Sequence, residues 1–224
     1  MNYRNLLFDL DGTLSDPYLG ITNAIKYALE KFHIVEQDAR KLALFIGPPL
    51  EQTFRGDYQF SATDTQQAVA YYREYFAAKG IYENKLYEGI EQMLKELKEK
   101  NFCCIVATSK PTEYAVEILQ HFKIDAYFEH VVGSNMDGSR SEKEDVVRYA
   151  IENYRLEKDK TIMIGDRKFD VAGAQKNGIA SLAVGYGYGS REELTAAMPT
   201  YFCESIKDIV NVLCGITNYK NLKL

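Results

Sequence analysis

The chain has 224 residues, 46% hydrophobic and 26% charged, with a formal net charge of −5 at pH 7; it is long enough for a full core plus a sizeable insertion. The acidic balance argues against a nucleic-acid backbone as main partner, and no apolar stretch approaches the length of a membrane span. Met1-Asn2-Tyr3-Arg4 lacks a signal peptide's apolar segment, and the four cysteines show no Cys-x-x-Cys spacing, so reduced thiols in a cytoplasmic protein are expected.

Residues 6–10 form an apolar run that leads into Asp9-Leu10-Asp11-Gly12-Thr13. In a strand, alternate residues point the same way, so Asp9 and Asp11 address one site. Two carboxylates about 4 Å apart repel by roughly 4 kcal/mol at an effective dielectric near 20, so such a pair calls for a cation, a shared proton, or both. Gly12 removes a side chain where the backbone turns or meets a ligand, and Thr13 adds a hydroxyl.

From 16 to 83 no strand is needed. Asp16-Pro17 has the form of a helix cap followed by proline, and Ile21, Ala24, Ile25, Ala28, Leu29 and Phe32 follow at helical spacing. Helical patterns continue over 39–45, 50–54 and 63–79, with Gly47-Pro48-Pro49 between the first two. An all-helical insertion directly after the strand bearing the carboxylates would sit over its end as a lid. The chain then alternates: helix 89–100, strand 102–107, helix 112–122, strand 130–133, helix 142–153, strand 161–164, helix 169–177 ending at Gly178, strand 181–184. This pattern is that of a Rossmann-like parallel α/β sheet, residues 1–15 and 84–224, with the helical insertion 16–83 as a cap.

Ligands of open parallel sheets bind outside the carboxyl ends of the strands. Three such ends here are polar: Asp9 and Asp11, then Thr108-Ser109-Lys110, then Gly165-Asp166. Asp170 lies one helical turn beyond Asp166, so the two can face one ion. Mg²⁺ prefers such oxygen ligands and is typically held by one or two carboxylates plus substrate phosphate.

The order of these pieces resembles the haloacid dehalogenase superfamily, in its branch with a helical cap after the first motif, and most closely the phosphoglycolate-phosphatase-like members. Residues 9–13 look like the first motif, Thr108 the second, Lys143 the third and Gly165–Asp170 the fourth. The resemblance implies that Asp9 attacks phosphorus to form an aspartyl-phosphate. It implies too that Asp11 protonates the leaving oxygen and later activates water, and that Thr108 and Lys143 hold the phosphoryl oxygens. Mg²⁺ would be bound by Asp9, the Asp11 carbonyl and Asp166, with Asp170 as ligand or support. Thr13 is the residue phosphatases carry at its position, whereas related sugar-phosphate mutases usually do not.

Each residue has a plainer reading. Asp166 and Asp170 would pass in isolation for a helix cap and an exposed helical side chain, and Thr108 for a strand end. Lys143 could be a solvated helix lysine, with Lys110 its rival for the phosphate. Gly12, Thr13, Ser109, Pro48 and Arg55 are taken as substrate contacts, Pro48 and Arg55 from the cap. The run Gly185-Tyr186-Gly187-Tyr188-Gly189 lacks dinucleotide spacing and reads as a structural or site-edge loop.

The expected activity is Mg²⁺-dependent hydrolysis of a small phosphorylated metabolite, phosphoglycolate by family default, by a monomer or weak homodimer. A 5′-nucleotidase or a promiscuous sugar-phosphate phosphatase is the alternative. A phosphosugar mutase and a non-catalytic phosphate-binding regulatory protein are the remoter rivals.

Overall fold

The structure, a computed structural model, describes residues 3–215. The short basic stretch at 220–223 lies outside the described residues. The chain opens with β1 (Asn5–Phe8), leaves through β2 (Ser15–Asp16), and runs through α1 (Tyr18–Glu30), α2 (Ala39–Ala43), α3 (Leu50–Asp57) and α4 (Ala62–Tyr75). A π-helical turn, Phe76–Gly80, continues α4, and β3 (Lys85–Leu86) brings the chain back. α5 (Ile90–Glu99), β4 (Cys103–Pro111), α6 (Thr112–His121), β5 (His130–Ser134) and α7 (Lys143–Asn153) follow. β6 (Thr161–Gly165), α8 (Lys168–Asn177), β7 (Ala180–Val184), α9 (Arg191–Ala196), β8 (Tyr201–Cys203) and α10 (Ile206–Leu213) complete the described chain.

Six strands pair in parallel in the order β5-β4-β1-β6-β7-β8. The three strand ends singled out from their polar residues therefore belong to neighbours, with β1 between β4 and β6. Both faces of β1 are covered: Leu6 and Phe8 join the larger apolar cluster, while Leu7 packs with Ile105, Met163, Val146 and Val147 on the other. This explains why the strand reads as an unbroken apolar run rather than an alternating one. Each such side chain, fully buried, contributes about 1.5–3 kcal/mol.

β2 and β3 form a separate antiparallel pair, Ser15 opposite Leu86 and Asp16 opposite Lys85, and the chain enters and leaves the helical segment through these two short strands. Packing of α1 on α4 organises that helical segment, and aromatic contacts knit its core, with Phe54 stacked on Phe60 at 5.8 Å and Phe45 edge-on to Phe54 at 5.2 Å.

Several local expectations shift. β4 does not stop at Ala107; it continues to Pro111 through a register break, so Thr108, Ser109 and Lys110 lie in the irregular end of the strand itself. α1 starts at Tyr18, with Pro17 rather than Asp16 preceding it, because Asp16 is held in the β2–β3 pair; its carboxylate still accepts the Tyr18 N–H at 3.0 Å. β8, α9 and α10 were not anticipated. β8 is only three residues long, too short for a periodic signal. Among the described residues no helix is long and apolar enough to cross a membrane, and all four cysteines are free.

Candidate active site

Asp9 follows β1 directly, and its position is set twice over. Oδ1 accepts the N–H of Leu10 at 2.8 Å and faces Lys143 Nζ at the same distance. Lys143 stands in the first turn of α7, almost fully buried. It also approaches Asp170 Oδ1 at 2.9 Å and donates to the Ala107 carbonyl at 3.1 Å. Burial alone would work against its charge, but Asp170 and Asp9 outweigh burial and raise its pKa above the usual lysine range.

Asp11 faces a different lysine. Its Oδ2 is 2.9 Å from Lys110 Nζ, which itself lies over the Phe76 ring at 4.3 Å. Burial raises the Asp11 pKa and Lys110 opposes the rise; Oδ1 is buried without a hydrogen-bond partner. The two lysines that competed for one role in the sequence are thus divided, Lys143 beneath Asp9 and Lys110 beside Asp11.

Asp9, Asp166 and Asp170 bring carboxylate oxygens within 4.8 Å of one another, all buried. Burial, with the neighbouring Asp170 and Asp9, pushes Asp166 up to about 8. Burial also raises Asp170 to about 6, against the pull of Lys143. With all three ionised beside one lysine, the cluster would carry an excess of two negative charges in a dry place, at a cost of several kcal/mol per ion unless compensated. A hard divalent cation with oxygen ligands supplies that compensation, so the residues fit one. The Asp11 carboxylate, turned to Lys110, is outside this cluster.

Gly12 and Thr13, expected at the substrate, are placed underneath the site instead. The Thr13 hydroxyl donates to Asp166 Oδ1 at 2.9 Å, and neither residue lines the cavity. Gly12 has φ +83°, and a Cβ there would overlap the Asp166 carboxylate, so only glycine allows Asp166 this close.

The cavity above Asp9 and Asp11 is lined by Thr108, Ser109 and Lys110 from β4 and by Pro48 from the helical segment, as expected. Arg55 is exposed on α3 and takes no part in the lining. The arginine that reaches the cavity is Arg73 of α4, whose Nη1 donates to the Met136 carbonyl at 2.6 Å. Its signal was present: Val69, Tyr72, Arg73 and Phe76 stand at i, i+3, i+4 and i+7, so Arg73 shares the inward stripe.

Residues 6–184 match the profile of the haloacid dehalogenase-like hydrolases. The chain belongs to this family. A 5′-nucleotidase from Pseudomonas aeruginosa is 43% identical over 213 residues, 95% of this chain and 96% of that protein. The crystal structure of a predicted phosphatase from Clostridium acetobutylicum superposes with a TM-score of 0.94 at 47% identity, covering 96% of this chain and 100% of the other. A phosphoglycolate phosphatase from Vibrio vulnificus is 26% identical, over 93% of this chain and 95% of its own length. The chain is an enzyme, a phosphatase of the haloacid dehalogenase-like family, and its parallel sheet is the one seen in its relatives.

Proposed function

We propose that the protein is a Mg²⁺-dependent phosphomonoester hydrolase that works through an aspartyl-phosphate on Asp9. The observation that carries this reading is the division of charge at the strand ends. Asp9 is held by Lys143 and Asp11 by Lys110, with a buried cluster of three carboxyl groups, Asp9 among them, that suits a divalent cation. When bound at Asp9, Asp166 and Asp170, with the Asp11 carbonyl, Mg²⁺ would supply charge neutralisation of the phosphoryl group.

The residues account for both half-reactions. Oδ1 of Asp9 carries the contacts to Leu10 and Lys143, which points Oδ2 at the phosphorus. As the Asp9–phosphorus bond forms, the bond to the leaving oxygen breaks, and Asp11 delivers its proton there; the raised pKa of Asp11 suits an acid. Asp11 then takes a proton from water, which attacks phosphorus and releases phosphate and free Asp9. Thr108 and Lys110, both lining the cavity, hold the equatorial oxygens. Lys143 holds Asp9 in orientation.

The opposite wall supports one substrate class over another. Phe45, Leu50, Val69, Tyr72 and Phe76 present an apolar, largely aromatic surface to the leaving group, with Arg73 as its cation. A planar base suits such a wall better than the carboxylate of glycolate. Together with the 5′-nucleotidase relative, this moves nucleoside 5′-monophosphates ahead of phosphoglycolate, reversing the order the sequence suggested.

Phosphate release from nucleoside monophosphates, phosphoglycolate and sugar phosphates, with Mg²⁺ and with chelator, tests the reading. Metal-dependent release led by a nucleotide supports it. Isomerised sugar phosphate with little free phosphate would replace it with a mutase, and no turnover of any compound would leave a binding protein.

A further inference from the structure

The glycine–tyrosine run after β7 takes no part in the proposed chemistry, yet it lies directly against the acidic cluster. The backbone N–H of Tyr188 donates to Asp166 Oδ2 at 2.8 Å. The phenol of the same residue donates to Asp16 Oδ1, the oxygen that also accepts the Tyr18 N–H at the start of α1. Asp16 belongs to β2, the strand by which the chain enters the helical segment, where it pairs with Lys85 of the returning strand.

The neighbouring tyrosine grips the same crossing from the other side. Tyr186 donates its hydroxyl to the Thr13 carbonyl at 2.9 Å and meets the Tyr87 ring edge-on at 5.3 Å; Tyr87 follows β3 and donates its N–H to the Leu14 carbonyl. Between the two tyrosines, a Cβ at Gly187 would overlap both the Asp166 side chain and the Gly12 carbonyl. The loop therefore lies flat on Asp166, with one tyrosine reaching each connecting strand.

We propose that Tyr188 is a positioning residue that ties the incoming connecting strand to the Asp166 carboxylate, so that the pose of the helical segment and the geometry of the acidic cluster are set together. The proposal rests on reading Asp9, Asp166 and Asp170 as the reacting centre. Its physical basis is that one rigid side chain and its own amide are fixed at both ends. Any rotation of the helical segment about β2 and β3 pulls on Asp16, and through the Tyr188 ring on the amide that orients Asp166.

Tyr188→Phe keeps the ring and the amide and removes only the hydroxyl, so it retains the packing of the loop. With p-nitrophenyl phosphate as probe, KM and the half-saturating Mg²⁺ concentration should each rise about three- to tenfold while kcat changes less than about twofold, an effect of the size that one lost ordinary hydrogen bond produces. Asp16→Ala should reproduce this, the double variant should be no worse than either single one, and Asp16→Asn, which keeps an acceptor, should recover most of the wild-type behaviour. Hydrogen exchange at 15–18 and calorimetry of Mg²⁺ on the metal-free protein read the same tie without turnover, with faster exchange and weaker Mg²⁺ binding in Tyr188→Phe. Unchanged exchange and Mg²⁺ binding in Tyr188→Phe, or additive losses in the double variant, would overturn the tie. A wild-type protein that turns over no phosphomonoester would overturn the phosphatase reading instead, and the exchange and calorimetry would still decide the tie.

Discussion

Lys143 Nζ stands 2.8 Å from Asp9 Oδ1, the oxygen that also takes the Leu10 N–H. One carboxylate oxygen is thereby committed to holding the group in place, in a residue that also lines the cavity. Lys143→Met should lower kcat by about 10²–10³-fold, the usual cost of removing one preorganised electrostatic partner. Lys110→Met should act mainly on KM and on the Asp11 proton. Steady-state kinetics on the two variants separates them, and near-normal kinetics for either would remove that lysine from the site. A thermal scan accompanies the Lys143 variant, because an unpaired buried carboxylate also costs stability.

Asp9→Asn should abolish turnover with the fold intact by circular dichroism. Asp11→Asn should slow both half-reactions, so protein-bound phosphate should be detectable by mass spectrometry after mixing with substrate. Appreciable turnover in Asp9→Asn would refute a covalent role for that residue.

Removing the metal should destabilise the protein, and more so at high pH. Asp166 is pushed up to about 8 and Asp170 to about 6, so each binds a proton more tightly folded than unfolded. The stability this confers is complete below the unfolded carboxylate range near 4 and is lost as pH rises through those values. If Mg²⁺ takes the place of the protons, as proposed, the gain in Tm on adding it should be larger at pH 8.5 than at pH 6. Asp166→Asn should stabilise the metal-free protein at pH 8.5 and shrink that gain. A pH-independent gain would count against this cluster as the metal site.

Arg73→Ala should raise KM for the preferred phosphomonoester about tenfold with a smaller effect on kcat, as expected for a group that contacts the leaving portion. Arg55→Ala, on the exposed face of α3, should leave both constants within about twofold, since surface substitutions away from any site cost little. Kinetics on the pair checks the placement, and equal effects would undo it.

The sheet and the strand-end residues could be read from the chain because their signals are contiguous: an unbroken apolar run into Asp9-x-Asp11, and a second into Gly165-Asp166. Arg73 escaped because its meaning lies in a helical stripe of otherwise apolar residues, where charge suggests solvent. Thr13 stands out in the sequence as a candidate substrate contact, but its hydroxyl lies 2.9 Å from Asp166 Oδ1, a partner 153 residues away. Local pattern cannot rank such a partner against a ligand. The same holds for Tyr188, whose hydroxyl partner, Asp16, is 172 residues away.

The central place of β1 also governs when the site can exist during synthesis. Asn5–Phe8 pair on one side with 103–106 and on the other with 161–164, so the first strand made waits for most of the chain before it gains both neighbours. Pairing over such separations is slow, and an unpaired apolar strand invites aggregation. A nascent chain halted before residue 160 would carry Asp9 and Asp11 but neither Asp166 nor Asp170. The carboxylate cluster would then first assemble late in translation, once β6 and the start of α8 have emerged.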